Sequence, residues 1–334
     1  MASQKKYPHI LVTGSSGMIG TALCERLLAE GIPFTGVDYK HNLWNQEVDT
    51  HTLQVDLRDR KAVLKKLPAH IDMVIHLAAN ARVHDLVQDP SLAFDNLQTI
   101  FNTLEYAHRN DIKKFIFTSS REVYGNLIRD QYTEDSARID TCESPYTASK
   151  IGGEALVQSY TRCYGIEHII FRLSNVYGRY DATDRIVPLF IERLRANKNV
   201  TVYGADKVLD FTYIDDVVSG IMAGIDNFAA AKGQTLNLAY GSGITLTEFA
   251  ATLKETLGST SHINILPSRT GEVTHYVADI AKARQILNFT PTTNLEQGLR
   301  QAASWYQRRN ADTATSTTKT IIQKMARALR LKHA

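Results

Sequence analysis

The sequence has few of the features that mark secreted, metal-binding or membrane-spanning proteins. Its 334 residues contain three cysteines, none in C-x-x-C spacing, so neither a disulfide framework nor a zinc site is expected. No apolar run approaches the roughly 18 residues that span a bilayer, and no apolar stretch precedes the first predicted strand. We therefore expect a cytoplasmic protein with reduced thiols and no metal centre.

The sequence also lacks an excess of basic residues outside its C-terminal tail. The formal net charge is +3, but five basic residues lie beyond Asp312, where no acidic residue follows. They are Lys319, Lys324, Arg327, Arg330 and Lys332. Without them the chain carries a net charge of −2, so we do not expect a nucleic-acid partner.

Residues 310–334 read as a linker followed by a basic amphipathic helix. Ile321, Ile322, Met325 and Leu329 recur at helical spacing, opposite the basic side chains. Such a helix suits contact with an anionic membrane surface or with a partner protein. A frayed tail or an intersubunit helix remains open as an alternative.

What the chain does contain is a regular alternation of apolar runs and segments with helical periodicity. The predicted strands are His9 to Thr13, Phe34 to Val37, Met73 to Leu77, Lys114 to Ser119 and His168 to Leu173. Repeated β-α units form a parallel sheet with helices on both faces. The predicted fold is therefore α/β, a doubly wound Rossmann sheet.

After Leu173 this rhythm becomes irregular, which indicates a second, smaller α+β domain. The predicted elements are helices near Pro188 to Ala196, Leu246 to Leu257 and Leu295 to Arg308, and strands near Val200 to Tyr203 and Thr235 to Leu238. We assign residues 1–174 and 209–239 to the nucleotide-binding domain. Residues 175–208 and 240–309 form the predicted substrate-binding domain.

The first strand runs directly into a glycine-rich turn, V-T-G-S-S-G-M-I-G. Gly14, Gly17 and Gly20 allow a tight turn, close approach of backbone N–H groups to a diphosphate, and close packing of helix on strand. Between them stand the other predicted cofactor-binding residues of the turn, Ser16, Met18 and Ile19.

Asp38 ends the next predicted strand, where a carboxylate can accept both hydroxyls of a ribose. The same carboxylate would repel a 2′-phosphate, so NAD is favoured over NADP. Further predicted cofactor contacts come at the ends of later strands, where a doubly wound sheet places its ligand crevice. They are Asp56, Leu57, Leu77, Ala78 and Ala79.

The stretch S-P-Y-T-A-S-K places Tyr146 and Lys150 four residues apart on a predicted helix. That spacing puts both side chains on one helical face, where the cation favours the phenolate and makes Tyr146 a base. A second Y-x-x-x-K match joins Tyr203 to Lys207. Its β-branched residues and Gly204 predict a strand and a turn that point the two side chains apart.

Together, the glycine turn, the terminal Asp38, L-A-A, S-S-R-E-V-Y-G, S-P-Y-x-x-S-K and R-L-S-N-V-Y-G resemble one family. It is the extended short-chain dehydrogenase/reductase family, specifically its NAD-dependent sugar-nucleotide epimerases and dehydratases. The resemblance runs from about Ile10 to Tyr306. It implies a homodimer, in which the helices of Pro90 to Arg109 and Ser144 to Tyr164 pair between subunits.

The resemblance also implies that Ser120, Tyr146 and Lys150 carry catalysis. Tyr146 exchanges a proton with a sugar hydroxyl, Ser120 hydrogen-bonds the reacting oxygen, and Lys150 holds the nicotinamide ribose. A free phenol titrates near 10, so its phenolate needs about 4 kcal/mol of stabilisation at neutral pH. Lys150 and the positive nicotinamide ring are expected to supply it jointly.

For a nucleotide-diphosphate sugar, the resemblance assigns Asn175 and Arg269 to the diphosphate, since an arginine offers permanently charged, bidentate donors. The chain departs from the family pattern at Leu209, where an arginine is usual. We expect Lys207 or Arg185 to compensate, or else the substrate is atypical.

Glu122 resembles the base of 4,6-dehydratases and uronate decarboxylases. Its neighbour Arg121, however, stands where dTDP-glucose dehydratases carry an acid, and an arginine cannot donate that proton at neutral pH. We therefore expect a 4-epimerase, with Glu122-dependent dehydration or decarboxylation as the alternative. A keto-sugar reductase and a non-catalytic nucleotide sensor are further alternatives.

Overall fold

The computed structural model describes residues 7–127, 129–181 and 185–309. The predicted linker and basic tail lie outside them. The strands are β1 (Ile10–Thr13), β2 (Phe34–Asp38), β3 (Thr52–Gln54), β4 (Met73–His76), β5 (Lys114–Ser120), β6 (Glu167–Leu173), β7 (Asn175–Tyr177), β8 (Val200–Tyr203), β9 (Val208–Tyr213), β10 (Gln234–Leu238), β11 (Gly243–Thr245), β12 (Ile263–Leu266) and β13 (His275–Tyr276).

The helices are α1 (Met18–Ala29), α2 (Gln46–Thr50), α3 (Arg60–Lys66), α4 (Val83–Gln88), α5 (Ser91–Arg109), α6 (Pro145–Tyr164), α7 (Ile186–Arg195), α8 (Ile214–Asp226), α9 (Phe228–Ala231), α10 (Leu246–Thr256), α11 (Ala281–Leu287) and α12 (295–309). Short 3-10 turns occupy Arg121–Tyr124, Glu134–Ser136 and Ile139–Thr141. All the helices and strands predicted above within the described residues are present, with ends that differ by a few residues.

The main sheet has seven strands in the order β10-β6-β5-β4-β1-β2-β3, and each neighbouring pair is parallel. Successive residues of β1 enter opposite cores because side chains of a strand alternate between its faces. Ile10 and Val12 join one apolar cluster, whereas Leu11 joins the other. The predicted α/β fold with helices on both faces is confirmed.

The strand order reverses at β1, which lies between β2 and β4. In an open parallel sheet, ligands bind outside the carboxyl ends of the strands at such a reversal. The glycine turn after β1 and the turn after β4 therefore lie side by side at the same edge of the sheet.

A smaller four-stranded sheet is built around β9, which pairs with β7, β11 and β13, while β8 pairs with β12. The domain boundaries predicted from the sequence assign all of residues 209–239 to the nucleotide-binding domain. The hydrogen bonds of β9 instead join the start of that segment to the smaller sheet, and only β10 enters the large one. The division into two domains stays a prediction.

Among the described residues, we find no helix with the length and apolar character needed to cross a lipid bilayer.

Candidate active site

The glycine turn is a close-packed junction between β1, α1 and the turn after β4. Gly14 has a φ of +73°, and a Cβ atom there would lie 2.8 Å from the backbone nitrogen of Ala78. A Cβ atom at Gly20 would lie 2.0 Å from the Gly14 carbonyl oxygen. Glycine is therefore required at both positions.

Helix α1 begins at Met18, and its N-cap residue, Gly17, makes no side-chain cap hydrogen bond. The N–H groups of the first helical turn have no carbonyl partner within a helix, so those of Met18, Ile19 and Gly20 are suited to bind an anion. The bare backbone of the turn leaves room for that anion to approach. The turn thus fits the diphosphate of a dinucleotide.

Asp38 lies beside this turn, at the carboxyl end of β2. Its two carboxylate oxygens accept hydrogen bonds from the backbone nitrogens of Ser16, at 3.1 Å, and Lys40, at 3.0 Å. Burial raises the pKa of Asp38, and these backbone donors oppose the rise. The carboxylate is fixed where the sequence predicts a ribose contact.

Some of the other predicted cofactor residues lie next to the glycine turn, whereas Asp56 is bonded to another side chain. Leu77 and Ala78 are tied to β1, because the Leu77 nitrogen donates to the Thr13 carbonyl and the Ala78 nitrogen donates to the Thr13 hydroxyl. Leu77 and Ala78 therefore border Gly14, and Ala79 follows them along the chain. Asp56 is instead engaged by Arg58, whose Nε and terminal nitrogen bind its carboxylate at 3.0 and 2.8 Å.

Leu57, which follows Asp56, is buried, and its carbonyl accepts a 2.8 Å hydrogen bond from Asn102 of α5. The strand end that carries Asp56 and Leu57 is thereby fastened to α5. If the Asp56 carboxylate binds the cofactor, it must do so while it also accepts hydrogen bonds from Arg58.

The Tyr146 and Lys150 pair lies on α6 as predicted. Ser144 caps this helix by accepting the Thr147 N–H at 3.2 Å, and Pro145 takes the first helical position, where its missing N–H is harmless. Both functional side chains are buried on one face of α6. The Lys150 ammonium donates to the Thr118 carbonyl of β5 at 2.9 Å.

The second Y-x-x-x-K match is separated as predicted. Tyr203 ends β8, and Gly204, with a φ of +85°, turns the chain. The Tyr203 ring lies 4.0 Å from the Arg269 guanidinium, whereas Lys207 forms an ion pair with Glu272. Arg269 and Lys207 are both predicted substrate residues. Near the end of β8, Arg269 contacts the Tyr203 ring and Lys207 contacts Glu272.

Tyr146 lies close enough to Ser120, which ends β5, for the serine hydroxyl to lower the pKa of the phenol. Burial raises the pKa of Tyr146 above its ordinary value, and the Ser120 hydroxyl only partly offsets this. Glu122 raises this pKa further, whereas Arg185 and Arg121 lower it. Burial also lowers the pKa of Lys150 to about 8. Desolvation is therefore the largest influence on the pKa of each residue. The expected joint stabilisation of the phenolate by Lys150 and a nicotinamide ring stays a prediction.

Arg121 and Glu122 form a buried ion pair beside Ser120. An Arg121 terminal nitrogen lies 2.8 Å from the Glu122 carboxylate, and the Arg121 Nε donates to the Asn175 side-chain oxygen at 3.1 Å. The Asn175 amide in turn donates to the Asp210 carbonyl at 3.0 Å. Asn175, predicted to bind substrate, is thus oriented by Arg121, the residue that follows Ser120.

Leu209, the departure from the family pattern, packs into the large apolar core. Of its two predicted substitutes, Lys207 is already paired with Glu272. Arg185 donates to the Ala81 carbonyl at 3.3 Å and acts electrostatically on Tyr146, so its charge is felt at the predicted catalytic tyrosine.

A cavity of about 540 Å³ opens where β8 and β12 end. Lys207 and His275 line it together with two stretches, 204–206 and 265–268. The Arg269 side chain is exposed next to this rim. The size of the cavity suits a small-molecule ligand.

Two residues at the site were missed by the sequence reasoning. Asn96 of α5 accepts the Asn80 N–H at 2.7 Å and donates to Ser149 at 3.1 Å, which ties the turn after β4 to α6. Tyr276 is fully buried, and its ring lies 5.9 Å from the Arg121 guanidinium. No local pattern marks either residue, because their partners are distant in sequence.

Comparison with known proteins matches residues 10–239 to the model of the NAD dependent epimerase/dehydratase family. The UDP-glucuronate 4-epimerase of Thermodesulfobacterium geofontis is 29% identical over 89% of this chain and 95% of its own length. The structure of the UDP-glucose 4-epimerase of Thermotoga maritima with UDP-glucose superposes with a TM-score of 0.83, at 28% identity over 90% of this chain and 99% of that chain.

A dTDP-glucose 4,6-dehydratase of Streptomyces venezuelae, solved with NAD bound, superposes equally well. Its TM-score is also 0.83, at 26% identity over 91% of this chain and 98% of that one. Similarity of the whole chain therefore does not separate epimerases from dehydratases.

Proposed function

The chain belongs to the NAD dependent epimerase/dehydratase family, and from that premise we propose that it is a nucleotide-sugar 4-epimerase that acts on a UDP-hexose through a transient 4-keto intermediate. The observation that carries the proposal is that α6 and the end of β5 bring three groups together: the Lys150 ammonium lies 5.9 Å from the centroid of the Tyr146 ring and donates to the carbonyl of Thr118, two residues before Ser120. A phenol and a hydroxyl that lie close to each other can both contact a single sugar oxygen.

The cofactor is NAD. When bound, it supplies a reversible hydride acceptor for a sugar carbon. In the proposal, Gly14, Gly17 and Gly20 admit its diphosphate to the start of α1, and Asp38 holds a ribose. The same cradle is formed by Ser16, Met18, Ile19, Leu77, Ala78 and Ala79.

Tyr146 removes the proton from the sugar hydroxyl and later returns it. Because burial raises the pKa of Tyr146, the phenolate needs positive charge beyond that of its own neighbourhood. Lys150 contributes as the nearest ammonium on the same helix, and Arg121 and Arg185 act in the same direction. Ser120 orients the reacting oxygen.

In this proposal the nucleotide diphosphate lies between the β8 cavity and the crevice. Arg269 at the cavity rim and Asn175 beside the catalytic segment provide the donors, and Lys207 lines the cavity. Arg185 takes over the charge that Leu209 does not provide.

Arg121 favours epimerisation over dehydration of the dTDP-glucose type, because a guanidinium cannot protonate a departing hydroxyl. The second candidate function is dehydration or decarboxylation with Glu122 as base. It is favoured by one observation: burial raises the pKa of Glu122, as a general base working near neutral pH requires. A keto-sugar reductase remains the third candidate.

The purified protein, incubated with UDP-, dTDP- and GDP-hexoses, tests these functions. We expect a mixture of C4 epimers of unchanged mass without added NADH, and the Tyr146→Phe protein is the matched control. Loss of water or of carbon dioxide by mass would replace the epimerase with the second candidate. Stoichiometric consumption of added NADH would replace it with the reductase.

We also propose a cytoplasmic homodimer, paired through α5 and α6. Phe94 of α5 is 67% exposed, and Phe101 on the same helical face is 36% exposed. Exposed aromatics seven residues apart form a stripe that a second copy of α5 can cover.

A further inference from the structure

The loop 267–274, which we call the Arg269 loop, joins β12 to β13 and carries the arginine that is proposed to bind the substrate diphosphate. Both of its ends line the β8 cavity, so Arg269 lies at the rim of that cavity. The Arg269 guanidinium lies 4.0 Å from the centroid of the Tyr203 ring, and the Arg269 side chain is exposed. The position of an exposed side chain on a loop depends on how firmly the backbone of that loop is held.

Asn126 bonds the backbone of the Arg269 loop at two residues. The Asn126 amide nitrogen donates to the Glu272 carbonyl at 3.2 Å. The Asn126 side-chain oxygen accepts the Thr274 N–H at 2.7 Å and the Thr274 hydroxyl at 3.0 Å. An asparagine side chain offers the same donor and acceptor as a backbone peptide group, so one residue satisfies both a carbonyl and an N–H of the loop. These bonds join the loop to the chain just after Gly125, the last residue of the S-S-R-E-V-Y-G segment.

Two further contacts hold the same loop. Lys207, which is buried, forms an ion pair with the Glu272 carboxylate. Gly271 has a φ of +79°, and a Cβ atom there would lie 3.1 Å from the Val87 side chain of α4 and 3.4 Å from the Glu143 carbonyl oxygen. The loop therefore packs closely against α4 and against the residues that precede α6.

We propose that Asn126 is a positioning residue for the diphosphate site, because it fixes the Arg269 loop to the segment that carries Ser120. Ser120 and Asn126 belong to one short stretch of chain, whose 3-10 turn, Arg121–Tyr124, is buried. The sugar and the diphosphate of a nucleotide-sugar are covalently joined, so a fixed separation between Ser120 and Arg269 pre-organises both contacts and strengthens binding. Asn126 acts through Arg269 and does not touch the substrate. This inference rests on the proposed contact of Arg269 with the diphosphate and deepens it.

A double-mutant cycle in UDP affinity tests the role of Asn126. Dissociation constants are measured by calorimetry on the NAD-loaded full chain for the wild type, Asn126→Ala, Arg269→Gln and the double variant. We expect UDP to bind about fivefold more weakly to Asn126→Ala and at least about tenfold more weakly to Arg269→Gln. The double variant should match Arg269→Gln to within about twofold, because Asn126 acts through Arg269. Independent, multiplied losses in the double variant would overturn the proposal, and so would an Asn126→Ala protein with unchanged UDP affinity.

Uridine separates the positioning of Arg269 from general damage to the cavity. It lacks the diphosphate, so its affinity, measured by ligand-observed NMR, should agree to within about twofold in all four proteins. Asn227→Ala is the matched control, since Asn227 is also exposed and its amide donates locally, to the Ala223 carbonyl. This control should bind UDP as the wild type does. A loss of uridine binding in Asn126→Ala as large as its loss of UDP binding would contradict the proposal.

The Arg269→Gln arm separates this inference from the function on which it rests. If UDP does not bind to the wild type, dTDP and GDP take its place, with thymidine and guanosine in place of uridine. If Arg269→Gln leaves the affinity for every one of these diphosphates unchanged, the diphosphate contact of the proposed function fails and the inference fails with it. If Arg269→Gln weakens binding but Asn126→Ala does not, the contact stands and only the role of Asn126 is rejected.

Discussion

The Lys150 ammonium nitrogen lies 5.9 Å from the centroid of the Tyr146 ring, one turn along α6, and is anchored to the Thr118 carbonyl of β5. Helix α6 thereby presents a phenol and an ammonium at the carboxyl end of β5. Burial works against the charged form of each: it raises the pKa of Tyr146 and lowers that of Lys150. The Tyr146 phenol is in position for proton transfer. Because burial disfavours its phenolate, a positively charged group bound nearby is needed to stabilise that form.

Replacing Tyr146 with phenylalanine removes the proposed acid–base group and little volume. We expect turnover to fall at least about a hundredfold, the usual contribution of a positioned acid or base. Bound NAD, measured by mass spectrometry of the denatured protein, should be retained. Tyr164→Phe, at the exposed end of the same helix, is the matched control. Near-normal turnover of Tyr146→Phe would exclude the role.

Lys150→Met should change how stability depends on pH. The folded pKa of Lys150 is about 8, below its ordinary 10.5. Between these values the unfolded chain binds more protons than the folded one, so this group makes the free energy of unfolding rise with pH across that window. Over that window, the contribution of Lys150 to the free energy of unfolding should rise by about 3 kcal/mol.

Urea unfolding at a series of pH values, without cofactor, measures this effect. The wild-type protein should gain stability from pH 8 to 10.5 relative to Lys150→Met, whereas the exposed-site control Lys61→Met should follow the wild type. Parallel curves for the wild type and Lys150→Met would show that the Lys150 ammonium is not desolvated.

Asp38→Ala should weaken NAD binding by at least about tenfold, because a charged acceptor for two ribose hydroxyls is lost. Fluorescence titration with NAD measures this without a substrate. Asp38→Asn keeps one acceptor for the Ser16 and Lys40 N–H groups, so it separates damage to the turn from loss of the ribose contact. Asp111→Ala, at a side chain 85% exposed, is the control. Unchanged NAD affinity in Asp38→Ala would contradict the ribose contact.

Phe94→Asp should convert the proposed dimer into a monomer. A charge in the centre of an apolar interface loses its hydration with no partner, which costs several kcal/mol. Light scattering coupled to size-exclusion chromatography reads the mass directly. Ile139→Asp changes a side chain that is 79% exposed elsewhere on the surface and should leave the mass unchanged. A dimeric Phe94→Asp protein would place the interface elsewhere.

Local sequence patterns were sufficient to predict several elements that form the candidate site. The spacing of Gly14, Gly17 and Gly20 after an apolar run predicted the turn between β1 and α1, because glycine is required where a Cβ atom would collide with backbone. Ser144 and Pro145 likewise begin α6 through local contacts, since capping is decided within one helical turn. The contrast between Tyr146–Lys150 and Tyr203–Lys207 also followed from local preference alone.

Local sequence thus accounts for the alternation of strands and helices, the glycine turn and the face shared by Tyr146 and Lys150, since each depends on contacts within a few residues. Long-range packing, in contrast, sets the contact by which Arg121 orients Asn175, 54 residues away, and the position of Leu209 in the core. It also decided the direction of the Tyr146 pKa, because desolvation depends on everything packed around a side chain and no local motif records it.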